Sequence, residues 1–352
     1  MSGASLPDEA PRAVVLGCSG ERLNAFERDF FPAAAPVGFI LFRRNCSSPD
    51  QVRELIASLR ECVGRDDAPV LIDQEGGRVS RLRPPHWRLY PSAARLGSLP
   101  DPQATAATRL AARLMADDLG RLGISVDCLP VLDLPVRGAD PVIGDRAYGS
   151  EGDRVARLGR AVCEGLLGGG VLPVIKHIPG HGRARVESHD ACPLVETAQE
   201  ELSRSDFAPF GALAAMPWAM TAHIVYRAID ASAPATLSRR VVAEIIRGEI
   251  GFDGILISDD LSMRALGGEI GERAQRALTA GCDLALHCNG DPREMEEVVA
   301  AVRRISDRTA ERLVRAEAMR RTSAVDGFNR AEAEALLDAL LPAVSTSEAW
   351  QQ

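Results

Sequence analysis

The sequence predicts an α/β fold, a single (β/α)8 TIM-type barrel. Three observations carry that prediction. Eight short, apolar, β-rich runs recur along the chain, helical patterns separate them, and ionisable residues stand at the ends of five of them. The runs span 13–17, 38–42, 69–73, 125–132, 172–177, 220–225, 254–258 and 283–287. Most are continuous rather than alternating, which is the pattern of parallel strands covered on both faces. Strand and helix in regular alternation point to a parallel sheet. Eight repeats favour closure over an open sheet, and no GxGxxG follows the first run to suggest a dinucleotide fold.

The helices between the runs have readable stripes and ends. Ala111, Met115, Leu119 and Leu122 share one face of a helix that Gly123 terminates. Ser150 is the predicted N-cap of the next helix, whose stripe is Val155, Leu158, Val162 and Leu166 and whose end is the glycine run 168–170. Ser238 is the predicted cap of a helix through Val242 and Ile246, and a last helix is expected over 331–341, ahead of Pro342. No linker or composition break divides the chain, so one domain over 1–352 is expected.

Composition narrows the function classes. With 352 residues, 46% of them hydrophobic, the chain can bury a large core. The net charge of −8, with no long block of one sign, argues against a nucleic-acid partner, which requires a basic face. No basic segment leads into an apolar stretch at the start, so no secretory leader is expected. No apolar run of 18 residues occurs, so no membrane span is expected. The eight cysteines form no CxxC pair, and a reduced, cytoplasmic protein explains them better than a disulfide framework. Lysine is nearly absent: of 41 basic residues only Lys176 is Lys, and it stands next to His177. A compact ammonium and a planar guanidinium are not interchangeable, so a functional role for Lys176 is expected.

In such barrels the active site lies at the carboxyl ends of the strands. Asp73 follows Ile72, Lys176 and His177 follow Ile175, His223 interrupts its run, Asp259 and Asp260 follow Ser258, and His287 closes the eighth run. These groups are expected to converge on one mouth. A carboxylate at a strand end can serve as nucleophile or electrostatic stabiliser, so Asp259 is read as reactive and Asp260 as capping or binding. The segment 176–182, KHIPGHG, cannot form a regular helix, because Pro179, Gly180 and Gly182 interrupt it. His177 and His181 have the spacing of a helical metal pair, but without the helix that spacing loses its meaning, and no metal or other cofactor is expected. His177 is read as a ligand-bonding group and His181 as a turn residue. Farther on, Glu187-Ser188-His189 sets a carboxylate two residues before a histidine able to donate and accept a proton near neutral pH. No GxSxG elbow surrounds Ser188, which disfavours a serine triad.

Taken in order, IDQEGGRVSRL (72–82), VIGDRAYG (142–149), KHIPGHG with ESH (176–189) and ISDDLSM (257–263) resemble glycoside hydrolase family 3. The subgroup most similar is the bacterial β-N-acetylglucosaminidase of peptidoglycan recycling, over about residues 12–325. The resemblance implies a retaining mechanism on terminal, non-reducing β-linked N-acetylglucosamine of muropeptide-derived saccharides. Asp259 would be the nucleophile and His189 the general acid/base. Asp73, Arg81, Arg146, Lys176 and His177 would hold the sugar. It also implies a monomer with a small saccharide or muropeptide as partner. One departure stands out: the family's Asp-Ser-His is here Glu187-Ser188-His189, and the longer side chain puts the rate in question. Two other readings remain open. One is a metal-dependent barrel hydrolase using His177, His181 and His189; the other is a sugar-binding homologue whose catalysis is impaired by Glu187.

Overall fold

The structure is a computed structural model that describes residues 10–184 and 192–341. Eight parallel strands close into a barrel: β1 (Arg12–Gly17), β2 (Pro36–Leu41), β3 (Val70–Ile72), β4 (Val126–Asp127), β5 (Leu172–Ile178), β6 (Trp218–Thr221), β7 (Ile255–Asp260) and β8 (Leu284–His287). Each strand pairs with its successor and β8 pairs with β1. Their residues are almost wholly buried, since side chains fill the interior and helices cover the outside.

Two predicted runs are trimmed. The run 125–132 keeps regular pairing only at Val126–Asp127, because Pro130 has no N–H to give the ladder. Its remainder still lies along β5, with Leu132 N donating to Lys176 O at 2.7 Å and Lys176 N donating to Pro130 O at 3.0 Å. The run 220–225 begins earlier, at Trp218, and leaves the barrel after Thr221; Val225–Tyr226 pairs instead with Leu194–Val195.

The helices follow their stripes. Helix Asp101–Leu122 buries Ala111, Met115, Leu119 and Leu122 and ends at Gly123, whose φ of 89° suits a residue without Cβ. Helix Gly152–Gly168 buries Val155, Leu158, Val162 and Leu166. Its N-cap position falls on Glu151 rather than Ser150, and no side chain caps it. These two helices approach closely at Gly165, where a Cβ would stand 2.5 Å from Arg109 O. Ser238 does cap its helix, Val241–Glu249, accepting from Val241 N at 3.1 Å; that helix is wound with π-type hydrogen bonds. The last helix is Arg330–Leu340. Among the described residues no helix is long and apolar enough to cross a membrane.

Candidate active site

At the carboxyl ends of the strands lies a cavity of about 270 Å3 lined by Asp73, Glu75, Arg81, Arg146, Lys176, His177, His181, Asp259 and Asp260, among others. The first half is built by a hairpin. Just past β3, Gln74–Gly76 pairs antiparallel with Val79–Ser80. Gly76 and Gly77 make the turn at φ of 89° and 55°, a region L side chains rarely adopt. The buried Gln74 side chain fixes the return strand by accepting from Arg81 N at 2.9 Å and Leu82 N at 3.0 Å. Arg81 is thereby brought back beside Asp73, donating to Oδ2 at 3.0 Å.

Lys176 ties this hairpin to β5. Its ammonium, only 2% exposed, lies 2.8 Å from Asp73 and 2.6 Å from Glu75. Arg146, on the short turn Gly144–Arg146, grips Glu75 with two parallel bonds of 2.8 Å. Bidentate, charge-assisted pairs of this kind are the strong ones in proteins. Burial alone would raise both carboxyls. For Asp73, Lys176 and Arg81 outweigh it and hold the group well below the usual range. For Glu75, Arg146 and Lys176 bring it down to about 2. Lys176 is raised in turn, the two carboxylates overcoming the cost of burial. Below them Asp127, wholly buried, is pushed well above the carboxylate range by desolvation and accepts from Gln74 N at 3.0 Å.

The second half centres on Asp133. This buried carboxylate stands 2.7 Å from His177 Nδ1 and accepts from His181 N at 2.6 Å. Burial would raise Asp133, but His177 beside it holds it below the usual range. The KHIPGHG segment can lie this close because of Gly182, where a Cβ would stand 1.9 Å from Leu134 O. His181, read as a turn residue, does anchor the turn through its N–H, but its ring also walls the cavity. Burial lowers its pKa to about 4, so it is a neutral imidazole near pH 7.

Asp259 closes the circle from the end of β7. Burial raises it, yet His177, His223 and the Asp260 N–H, which donates to Oδ1 at 2.8 Å, leave it below the ordinary value. Beside it Asp260 also lines the cavity, but its oxygens hold the following loop, accepting from Ser262 Oγ at 2.7 Å and Cys288 N at 3.2 Å. The two carboxylates differ in engagement: among the described residues Asp259 accepts from its neighbour's N–H, whereas Asp260 is consumed by the turn, the capping role read for it.

Two of the strand-end groups do not reach the mouth. His223 is buried beside it, its ring held by Thr236 Oγ1 at 2.7 Å and Asp260 O at 3.0 Å. His287 is fully buried and faces Glu294 at 3.2 Å. His189 and Glu187 lie outside the described residues. Among the described residues no group of three or more His, Cys, Asp or Glu is placed to hold a metal ion.

Glu75 and Asp133 were not singled out from sequence, although both had a signal. Glu75 is two residues from Asp73, hence on the same side of an extended segment. Asp133 directly follows Leu132 at the end of the fourth run, where the strand-end rule would have found it.

The glycosyl hydrolase family 3 N-terminal domain matches residues 29–323. The chain belongs to glycosyl hydrolase family 3. Within the family it is 39% identical over 306 residues to the β-hexosaminidase of Pseudomonas aeruginosa, covering 86% of this chain and 90% of that one. It is also 39% identical over 301 residues to that of Alkalilimnicola ehrlichii, covering 84% of each. Among solved structures, native NagZ from Neisseria gonorrhoeae superposes with a TM-score of 0.84 at 32% identity, covering 96% of this chain and 100% of that one. The same Neisseria protein has been solved with N-trifluoroacetyl-D-glucosamine and with a zinc ion. The family 3 barrel therefore accounts for the fold.

Proposed function

We propose that this chain, a glycoside hydrolase of the β-N-acetylhexosaminidase class, removes terminal non-reducing β-linked N-acetylglucosamine from muropeptide-derived saccharides with retention of configuration. The natural substrates are N-acetylglucosaminyl-1,6-anhydro-N-acetylmuramic acid and its peptide-bearing forms, released during cell-wall recycling. The observation that carries this reading is an ionised, lightly engaged carboxylate, Asp259, facing a ring of charged and polar groups in a barrel whose relatives are β-hexosaminidases.

In the first step an Asp259 oxygen bonds to the anomeric carbon as the glycosidic C–O bond breaks. The leaving oxygen takes a proton from His189, which Glu187 supports. In the second step His189 takes a proton from water, the hydroxide oxygen bonds to the anomeric carbon, and the Asp259 ester opens. Asp73 retains lone pairs for sugar hydroxyls beyond the bonds from Lys176 and Arg81. Lys176 and Arg146 present cations to hydroxyl and acetamido oxygens. His177 contributes its Nε2, because Asp133 occupies Nδ1. The enzyme works as a monomer, as one catalytic unit over 1–352, in the cytoplasm; eight free cysteines suit a reducing compartment.

The test is hydrolysis of a chromogenic N-acetyl-β-glucosaminide with and without chelator. Turnover that resists chelator supports the reading. Binding of N-acetylglucosamine without turnover would contradict it, as would loss of turnover with chelator.

Asp133 gives a second expected result. Asp133→Asn removes the charge that fixes the His177 ring, and misplacement of a binding group by about 1 Å costs on the order of 100-fold in rate. A fall of kcat/KM of that size, with a cooperative thermal transition retained, is expected. Unchanged kcat/KM would show that His177 needs no such support.

A further inference from the structure

A second cavity, of about 620 Å3, opens at the other end of the barrel. Its floor is Gly281, Cys282 and Asp283, which enter β8 at its amino end, so the barrel core separates it from the catalytic mouth. Helices Val241–Glu249, Ile270–Ala280 and Asp307–Ser323 form its walls.

Five arginines line this cavity, Arg239, Arg247, Arg303, Arg308 and Arg312, with a single lining carboxylate, Asp283. Asp283 is already engaged, by Arg247 at 2.8 Å, Arg312 at 2.8 Å, Leu256 N at 2.9 Å and Thr309 Oγ1 at 3.1 Å. Arg308 and Arg312 share the exposed Asp253, just outside, with Arg315. Among the described residues Arg239 and Arg303 reach no carboxylate, and Arg303 donates to Leu278 O at 3.4 Å. Arg247 is held below its ordinary value, first by burial and then by Arg312, with Asp283 offsetting part of this. In a chain of net charge −8, this is a concave surface with an excess of positive charge and two cations left without anions.

We propose that this cavity binds a small molecule through a phosphoryl or pyrophosphoryl group. Guanidinium forks match phosphate oxygens bidentately. A phosphoryl group offers oxygens on several sides and more than one negative charge, whereas a single carboxylate can serve two forks at most. The bond network around Asp283 holds Arg247 and Arg312 in place before any ligand arrives, and Arg239 and Arg303 supply the uncompensated charge. The site is independent of the glycosidase reading, because it shares no residue with the catalytic cavity.

The experiment is isothermal calorimetry of the full chain with pyrophosphate at moderate salt, in the presence of saturating N-acetylglucosamine to occupy the catalytic cavity. Wild type is expected to bind saturably. The double variant Arg239→Gln, Arg303→Gln, which leaves the Asp283 network intact, is expected to bind at least about tenfold more weakly, roughly one guanidinium–phosphate pair. Its thermal midpoint without ligand should match that of wild type. Three results would overturn the proposal: no saturable binding, equal binding by the double variant, or citrate binding as tightly as pyrophosphate.

Discussion

Asp259→Ala is expected to lower kcat on a chromogenic N-acetyl-β-glucosaminide by about 10^4-fold or more while binding of N-acetylglucosamine persists. Loss of a nucleophile removes the covalent route itself, and in other hydrolases costs of this order or larger are observed. The fold should tolerate the change. Asp259 is the last but one residue of β7, and among the described residues its side chain accepts one bond, from its neighbour's N–H. The direction of its pKa adds a pH signature. Because Asp259 lies below the ordinary carboxylate value, it stays ionised from neutrality down toward that value. The acid limb of kcat in the wild type should therefore not be set by this group near neutrality. Steady-state kinetics with a parallel binding titration checks both points, and a variant that retained a tenth of the activity would remove Asp259 from the reaction.

Lys176→Met is expected to destabilise the protein by about 3 kcal/mol or more and to flatten part of its loss of stability in acid. The substitution keeps the apolar stem but strips the cation from two buried carboxylates, and breaking a buried pair from one side typically costs about 3–5 kcal/mol. In the wild type Asp73 and Glu75 titrate below their unfolded values, Glu75 at about 2. Their stabilisation is then complete above the unfolded carboxylate pKa near 4 and is lost as pH falls through the folded values. It does not vary between pH 7 and 5. In the variant both folded pKa values move up toward the unfolded ones, while Arg81 still pairs with Asp73 and Arg146 with Glu75. The narrower gap between folded and unfolded values means that the variant should lose less stability than the wild type as pH falls below about 4. Urea unfolding at several pH values measures this. Parallel curves for the two proteins would mean that Lys176 is not the counter-charge the geometry makes it.

Most of the barrel was legible because parallel strands are buried on both faces and so appear as uninterrupted apolar runs. The fourth run was too long on paper because hydropathy does not register that Pro130 cannot donate to a ladder. The sixth was displaced because Ala222, Ile224 and Val225 are as apolar as the strand they leave. The carboxyl-end rule located Asp73, Lys176, His177 and Asp259. It overreached at His223, which lies past the end of the sixth strand, and at His287, since position along a strand does not say which side of the wall a side chain occupies. Arg81 and Arg146 were visible only through the family resemblance: in a chain with 40 arginines, spacing alone cannot distinguish those that meet a buried carboxylate. Glu75 and Asp133 escaped for a related reason. Their importance lies in partners more than 40 positions away, Arg146 for one and His177 for the other.

As nucleophile, Asp259 becomes covalently attached to the sugar during turnover. Intact-mass and peptide-mapping mass spectrometry after incubation with a slow, fluorinated glycosyl donor tests it most directly. The predicted result is a mass increase of one fluorosugar, located on Asp259. Labelling at another residue, or rapid donor turnover with inversion and no adduct, would contradict it.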